Sequence, residues 1–160
     1  ELSFVWNTLR RFGVADRDLE DVAHDVFVVV NRRLSDYDPA RPLRPWLFAI
    51  TFRCASDYRR LSRHRHETLA TDGVEQADTS DAPDELVVQS QERNLARRAL
   101  LSVPEERRAV LVLHDFEEVA MQDIADALGI PLKTAYSRLR IGRNELIEAA
   151  RREQRGKEGS

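Results

Sequence analysis

Lys133, Thr134, Tyr136, Ser137, Arg138, Arg140 and Arg143 fall in one short stretch of the chain. Ammonium, guanidinium and hydroxyl donors of this kind hold phosphate oxygens and read acceptors on base edges. Between them, Ala135, Leu139, Gly142 and Leu146 recur every three or four residues, the period of a helix that buries one face. The donors are left on its outward side. A packed helical hairpin with a solvated basic face would carry the same apolar pattern, but DNA binding accounts for the donors as well.

A second set lies in RPLRPWLFAITFRCASDYRRLSRHRH, where Trp46, Phe48, Phe52 and Tyr58 alternate with Arg41, Arg44, Arg53, Arg59, Arg60, Arg63 and Arg65. Bases stack on flat side chains while cations follow the backbone, so this mixture suits single-stranded nucleic acid. The competing reading makes the aromatics core and the arginines a solvated face. Leu47, Ile50 and Phe48 are read as core, whereas Trp46, which follows Pro45 at a helix start, suits either role. His24, His64, His66 and His114 are scattered, with no HExxH, phosphate-loop or nucleophile-elbow motif, and His64-x-His66, whose spacing could bind a metal, lies in so basic a segment that it is read as solvated. Enzymatic chemistry, a bound metal and a cofactor are therefore not expected.

Helices must position these groups. Met121 to Leu146 reads as a helix-turn-helix: Ile124, Ala125 and Leu128 make one apolar face, Gly129 breaks the helix, and Ile130-Pro131 restarts the chain. Helical spacing also covers Leu2 to Phe12, then a stretch capped by Asp16 or Asp18 that continues to about Leu34. Ser35 to Pro45 carries three prolines and is expected to be loop. From Trp46 to about Arg63, Leu47, Ile50, Cys54 and either Tyr58 or Leu61 share a side. Thr68 to Pro83 is polar and reads as a linker. Helix resumes at Asp84 or Glu85, and Pro104 opens another with Val110, Leu111, Leu113 and Phe116 expected inward.

The net charge of −3 hides strong local contrasts. Arg41 to His66 carries +6, Glu67 to Glu92 carries −8, and Lys133 to Ser160 carries +4. Local fields, not the total, decide which ligand binds where. The acidic tether is expected to fold back on the basic blocks when no other basic surface is available. Cys54 is the single cysteine, which excludes an intramolecular disulfide. Val26 to Val30 is the most apolar run and is far too short to span a bilayer, so a cytoplasmic protein without membrane insertion is expected. The chain starts at Glu1 without a methionine, consistent with a fragment whose first domain lacks an N-terminal helix.

The expected fold is all-α, with two small helical domains joined by an acidic linker: residues 1–66, a tether over 67–83, and 84–155 with the helix-turn-helix. With both basic blocks in place, the chain resembles the extracytoplasmic-function (ECF) group of bacterial RNA polymerase sigma factors. DLEDVAHDVFVVVNRRL resembles that family's polymerase-docking helix, and YDPARPLRPWLFAITFRCASDYRRL its promoter-melting and −10 segment. LLSVPEERRAVLVLHDFEEVAMQDIADALGIPLKTAYSRLRIGRNEL resembles its −35-binding domain.

The resemblance implies core RNA polymerase, promoter DNA and an anti-sigma factor as partners. It implies that Asp21 and Asp25, on an acidic and apolar strip with Val22 and Val26, meet the polymerase, with Phe27, Arg32 and Arg33 nearby. Tyr37 to Pro45 would capture a flipped base and Trp46 would support the edge of the melted region, with Arg41, Arg44, Arg53, Arg59 and Arg60 on the single strand. Ser137 and Arg140 would face base edges, with Thr134 and Tyr136 close by, while Lys133, Arg138 and Arg143 hold phosphates. Arg53 stands where many members carry asparagine, and Ile141 where many carry arginine, so neither promoter element carries over. The alternative is a two-domain regulator that binds duplex DNA without joining polymerase.

Overall fold

The computed structural model describes residues 1–69 and 84–159 of the 160-residue chain, with side chains over 1–65 and 88–159. The proposed back-folding of the acidic tether falls outside the described residues. Helix α1 (Leu2–Arg11) buries Phe4, Val5, Thr8 and Leu9, one stripe at helical spacing. The chain reverses at Gly13, whose φ of +86° is costly for a residue with a Cβ. A short 3₁₀ turn then leads into α2 (Leu19–Arg33), with Asp18 at its N-cap position. Asp18 makes no side-chain cap; its carboxylate instead accepts the Tyr58 hydroxyl at 2.6 Å. Burial, followed by that hydrogen bond, pushes the Tyr58 phenol pKa up.

Helix α3 (Leu43–Leu69) begins three residues before the expected Trp46 and runs past the expected end near Arg63 into the first three residues of the expected 67–83 linker. Pro45 sits in its first turn, where the missing N–H breaks no helical bond. Leu47, Phe48, Ile50 and Ala55 are buried, and Tyr58, not Leu61, continues the stripe, because Leu61 is 63% exposed. Phe12 fills the centre of this unit. Its ring stands edge-on to Phe48 at 5.6 Å and to Phe52 at 5.1 Å, each such pair adding about 0.5–1.5 kcal/mol to the area buried.

Helices α4 (Asp84–Ser102), α5 (Glu105–Leu111), α6 (Met121–Leu128) and α7 (Leu132–Glu158) make the second unit. Pro104 precedes α5 as its N-cap. Val112–Phe116 winds more widely than an α-helix, with the Glu117 amide bonding the Val112 carbonyl at 3.1 Å. The extra residue in this turn rotates Phe116 outward. It is 46% exposed, contrary to its expected place in the core, and the Arg11 guanidinium lies over its ring at 4.8 Å. Gly129 ends α6 at φ 66°, ψ 37°, the left-handed cap a sharp turn requires. Gly142 matters for a different reason: a Cβ there would already touch the Arg107 backbone carbonyl oxygen at 3.4 Å, which leaves little room for a larger side chain. Its bare backbone lets α5 and α7 pack closely.

Neither unit is large enough to bury a substantial core alone, and the two share one. α3 touches α6, α1 touches α4, and buried residues of both units form a single cluster. At their junction sits Arg108, which is 1% exposed. Its guanidinium donates to the carbonyls of Leu101 (2.9 Å) and Val103 (2.8 Å) at the end of α4, and to that of Arg11 (3.4 Å) at the end of α1. One cation thus satisfies the terminal carbonyls of two helices, where the helix dipoles also favour positive charge. Burial lowers its pKa to about 10, which leaves it charged at neutral pH.

Candidate nucleic-acid interface

The first half of α7 presents the donors expected of a recognition helix. Lys133, Tyr136, Arg140 and Arg143 are exposed, and Thr134, Ser137 and Arg138 are half-buried along its edge. Ala135, Leu139 and Gly142 face inward, as their spacing requires. Ile141 is 37% exposed, so it belongs to the outer face and not to the core.

Two of the arginines are held by carboxylates. Arg138 lies 3.6 Å from Glu106, while Arg143 grips both oxygens of Asp115, at 2.6 and 2.8 Å. The Arg143 hydrogen bond, aided by His114, pulls the Asp115 pKa down to about 2. Arg143 is thereby fixed in direction at the helix edge. Lys133 and Arg140 extend into solvent beside it.

The loop before α3 forms the second site. Tyr37 and Trp46 stand with ring centroids 5.0 Å apart, tilted by 43°. The Tyr37 hydroxyl donates to the Arg41 carbonyl at 2.8 Å, and Asp38 accepts the Ala40 amide at 2.9 Å, so the loop is braced from within. Tyr37, Arg41, Pro42, Pro45 and Trp46 line a cavity of about 310 Å³. Residues spaced seven apart return to the same side of a helix, which puts exposed Arg53 and Arg60 in line with Trp46 along α3. An aromatic pocket continued by a row of cations can stack a base and follow its backbone.

Arg59 does not join that row. It points to the other unit, 3.5 Å from Glu105, which also accepts the Ser56 hydroxyl. Arg44 is likewise engaged, 3.3 Å from Glu117 and 5.4 Å above the Phe4 ring. Glu117 simultaneously binds Arg11 at 2.7 Å. The opposite wall of the Tyr37–Trp46 cavity is made by Asp123, Asp126 and Ala127 of α6.

A third surface runs along α2. Asp21, Asp25, Phe27, Arg32 and Arg33 are all exposed. Val22 and Val26 are not part of it: they are 6% and 0% exposed and pack in the core. The two valines sit one position on from the aspartates, about 100° around the helix, which is enough to bury them. Phe27 and Val28 supply the exposed apolar area instead.

Sequence reasoning missed Arg108, Glu105 and Glu117, which organise the contact between the two units. A signal was present for Arg108, an arginine just before the apolar run Ala109–Leu113 and in step with its buried side. Nothing in the local pattern marks the two glutamates.

An exposed basic helix in a helix-turn-helix, coupled to a helical unit with an aromatic, arginine-lined pocket, defines an all-α DNA-binding transcription factor. Two family models match the chain, Sigma-70 region 2 over residues 1–65 and Sigma-70 region 4 over residues 93–146. The chain belongs to the ECF group of RNA polymerase sigma factors.

It is 31% identical over 140 residues to the RNA polymerase sigma factor NccH of Alcaligenes xylosoxydans xylosoxydans, covering 86% of this chain and 75% of that one. It is 32% identical over 143 residues to the ECF sigma factor SigE of Mycolicibacterium smegmatis, covering 89% of this chain and 55% of SigE. Among solved structures, CnrH in complex with the cytosolic domain of CnrY matches with a TM-score of 0.59 at 25% identity, covering 91% of this chain and 79% of that one. The sigma factor RpoE of Bartonella quintana, solved with the anti-sigma factor NepR, matches in fold with a TM-score of 0.65 at 16% identity, over 94% of this chain and 91% of that one. No helix among the described residues is long and apolar enough to cross a membrane.

Proposed function

We propose that residues 1–66 bind core RNA polymerase and open the −10 element, that 67–83 act as an acidic linker, and that 84–155 bind the −35 element. In this reading the exposed face of α2, with Asp21, Asp25, Phe27, Arg32 and Arg33, docks on the polymerase. Tyr37, Arg41 and Trp46 take an extruded base, and Arg53 and Arg60 follow the strand along α3. Arg44 joins them when released from Glu117, whereas Arg59 serves the contact between the domains. Lys133, Arg138 and Arg143 hold phosphates, and Thr134, Tyr136, Ser137 and Arg140 approach the base edges. The protein works in the cytoplasm as an initiation factor and not as an enzyme. A protein of the anti-sigma class, the kind solved with its structural relatives, restrains it.

The observation that carries this reading is the pairing of an aromatic cavity beside exposed arginines with a separate basic recognition helix. A duplex-binding regulator needs only the helix. Run-off transcription with core polymerase and a promoter library tests both halves at once. The expected result is transcription dependent on this protein from templates enriched in two spaced elements. Failure to bind core polymerase, or to enrich any upstream pair of elements, refutes it.

A further inference from the structure

We propose that Ile141 is a specificity-determining residue of the recognition helix and reads the 5-methyl group of a thymine in the major groove. The inference rests on the reading of α7 as the −35-binding helix and adds a base identity to it. Ile141 lies on the outer side of α7, about one helical turn after Ser137 and two after Lys133. Buried Leu139 stands two positions before it, about 200° around the axis, so the Ile141 side chain is directed away from the core. It is 37% exposed, whereas Leu146 of the same helix packs against the central cluster. Arg138 and Arg143, on either side of it in sequence, are drawn off to Glu106 and Asp115. An apolar group is thus left bare in the middle of a row of donors.

The core gives isoleucine no role at this position. A β-branched side chain is also a poorer helix former than the arginine, lysine or alanine an exposed site accepts. In a helix it holds one dominant χ1 rotamer, so it forms a stiff apolar knob that loses little side-chain entropy on contact. Among the groups that base pairs display in the major groove, the thymine methyl is the apolar one. Ile141 has neither donor nor acceptor. Pressed against guanine N7 and O6, or against adenine N7 and N6, it would displace water and leave those atoms unpaired. One side chain therefore favours thymine and disfavours a purine edge. Arg140, the residue before it, carries the opposite preference, because its N–H donors suit the two guanine acceptors. The two side chains leave the helix about 100° apart, so their preferences fall on different bases and can be measured separately.

The test uses the full chain at low salt to select from fluorescein-labelled DNA duplexes with a randomised central stretch. Each thymine of a selected duplex is then replaced in turn by deoxyuridine, which removes the methyl and nothing else. One methyl contact is comparable to one buried CH₂ group, so wild type should lose about four-fold in affinity at one thymine. Ile141→Ala should bind the thymine and uracil forms of that duplex alike. Ile147→Ala, which removes an exposed isoleucine farther along α7, should keep the wild-type difference. A repeat of the selection with Ile141→Arg should exchange thymine for guanine at the same position. A selected duplex in which no methyl matters overturns the proposal. So does a methyl effect that survives Ile141→Ala, or a thymine preference that survives Ile141→Arg. An equal loss by Ile141→Ala on every duplex marks a structural role and also overturns it. Failure of wild type to select any sequence overturns the reading of α7 as a base-reading helix as well, so the two failures are told apart.

Discussion

At the scale of single residues, the recognition helix divides its cations by what already holds them. Lys133 and Arg140 reach into solvent, whereas Arg138 and Arg143 are tied to Glu106 and Asp115. Lys133→Ala should weaken binding to a −35 duplex evenly across sequences and reduce the slope of log affinity against log salt by about 1, read by fluorescence anisotropy in a salt series. Arg140→Ala should cost about 1–3 kcal/mol and relax preference at one base pair, because the base-edge contact proposed for it would be lost. The Asp115–Arg143 pair also has a pH signature. Its folded pKa, near 2, lies below the ordinary value of 3.8, so it stabilises the fold fully above about pH 4 and loses that contribution as pH falls toward 2. Because the pair is largely exposed, its worth is about 1 kcal/mol. Urea unfolding of wild type and Asp115→Asn should therefore differ by that amount at pH 6 and converge by pH 2.

At the scale of elements, the helix-turn-helix depends on how closely α5 and α7 approach. A side chain on Gly142 meets the Arg107 backbone, which no rotamer change can move away. Gly142→Val should cost about 1–3 kcal/mol by overpacking, seen as a lower thermal midpoint by circular dichroism. It should also weaken −35 binding, since α7 carries every residue proposed to contact that element. The wide turn at Val112–Phe116 acts in the other direction, setting Glu117 toward Arg11 and Arg44. Glu118 adopts a φ of 55° directly after it, completing the reversal into α6. These elements account for both the exposure of Phe116 and the placement of Glu117.

At the scale of the whole molecule, the energetics of promoter opening exceed what this chain can supply. Unstacking costs about 1.4 kcal/mol per base-pair step, and each base stacked on protein returns about 1–3 kcal/mol. Tyr37 and Trp46 form the one aromatic pair at the cavity among the described residues, so they can trap a base but cannot hold a bubble of roughly ten pairs. Permanganate footprinting should find no reactive thymines with the isolated protein and a reactive −10 region once core polymerase is added. Sequence-selective melting by the protein alone would contradict this account. On the proposed reading the polymerase supplies the remaining contacts.

Helical period, the Gly129 turn and the segregation of charge along the chain depend on neighbours three or four residues away, so the all-α class and the recognition helix are legible in the amino-acid sequence. The inward set Ala135, Leu139 and Gly142 follows from spacing alone. What spacing cannot decide is which charges remain available. Arg44 meets a carboxylate 73 residues away, and Arg11 one 106 residues away. The buried Arg108 joins the ends of two helices that are remote in sequence. Such pairings arise from how the two units dock, and no local periodicity encodes them. The sequence determined which faces carry cations and rings, and the tertiary structure alone decided that Lys133 and Arg140 stay in solvent while Arg44 and Arg59 are engaged, because long-range carboxylates select their cations only once the helices have packed.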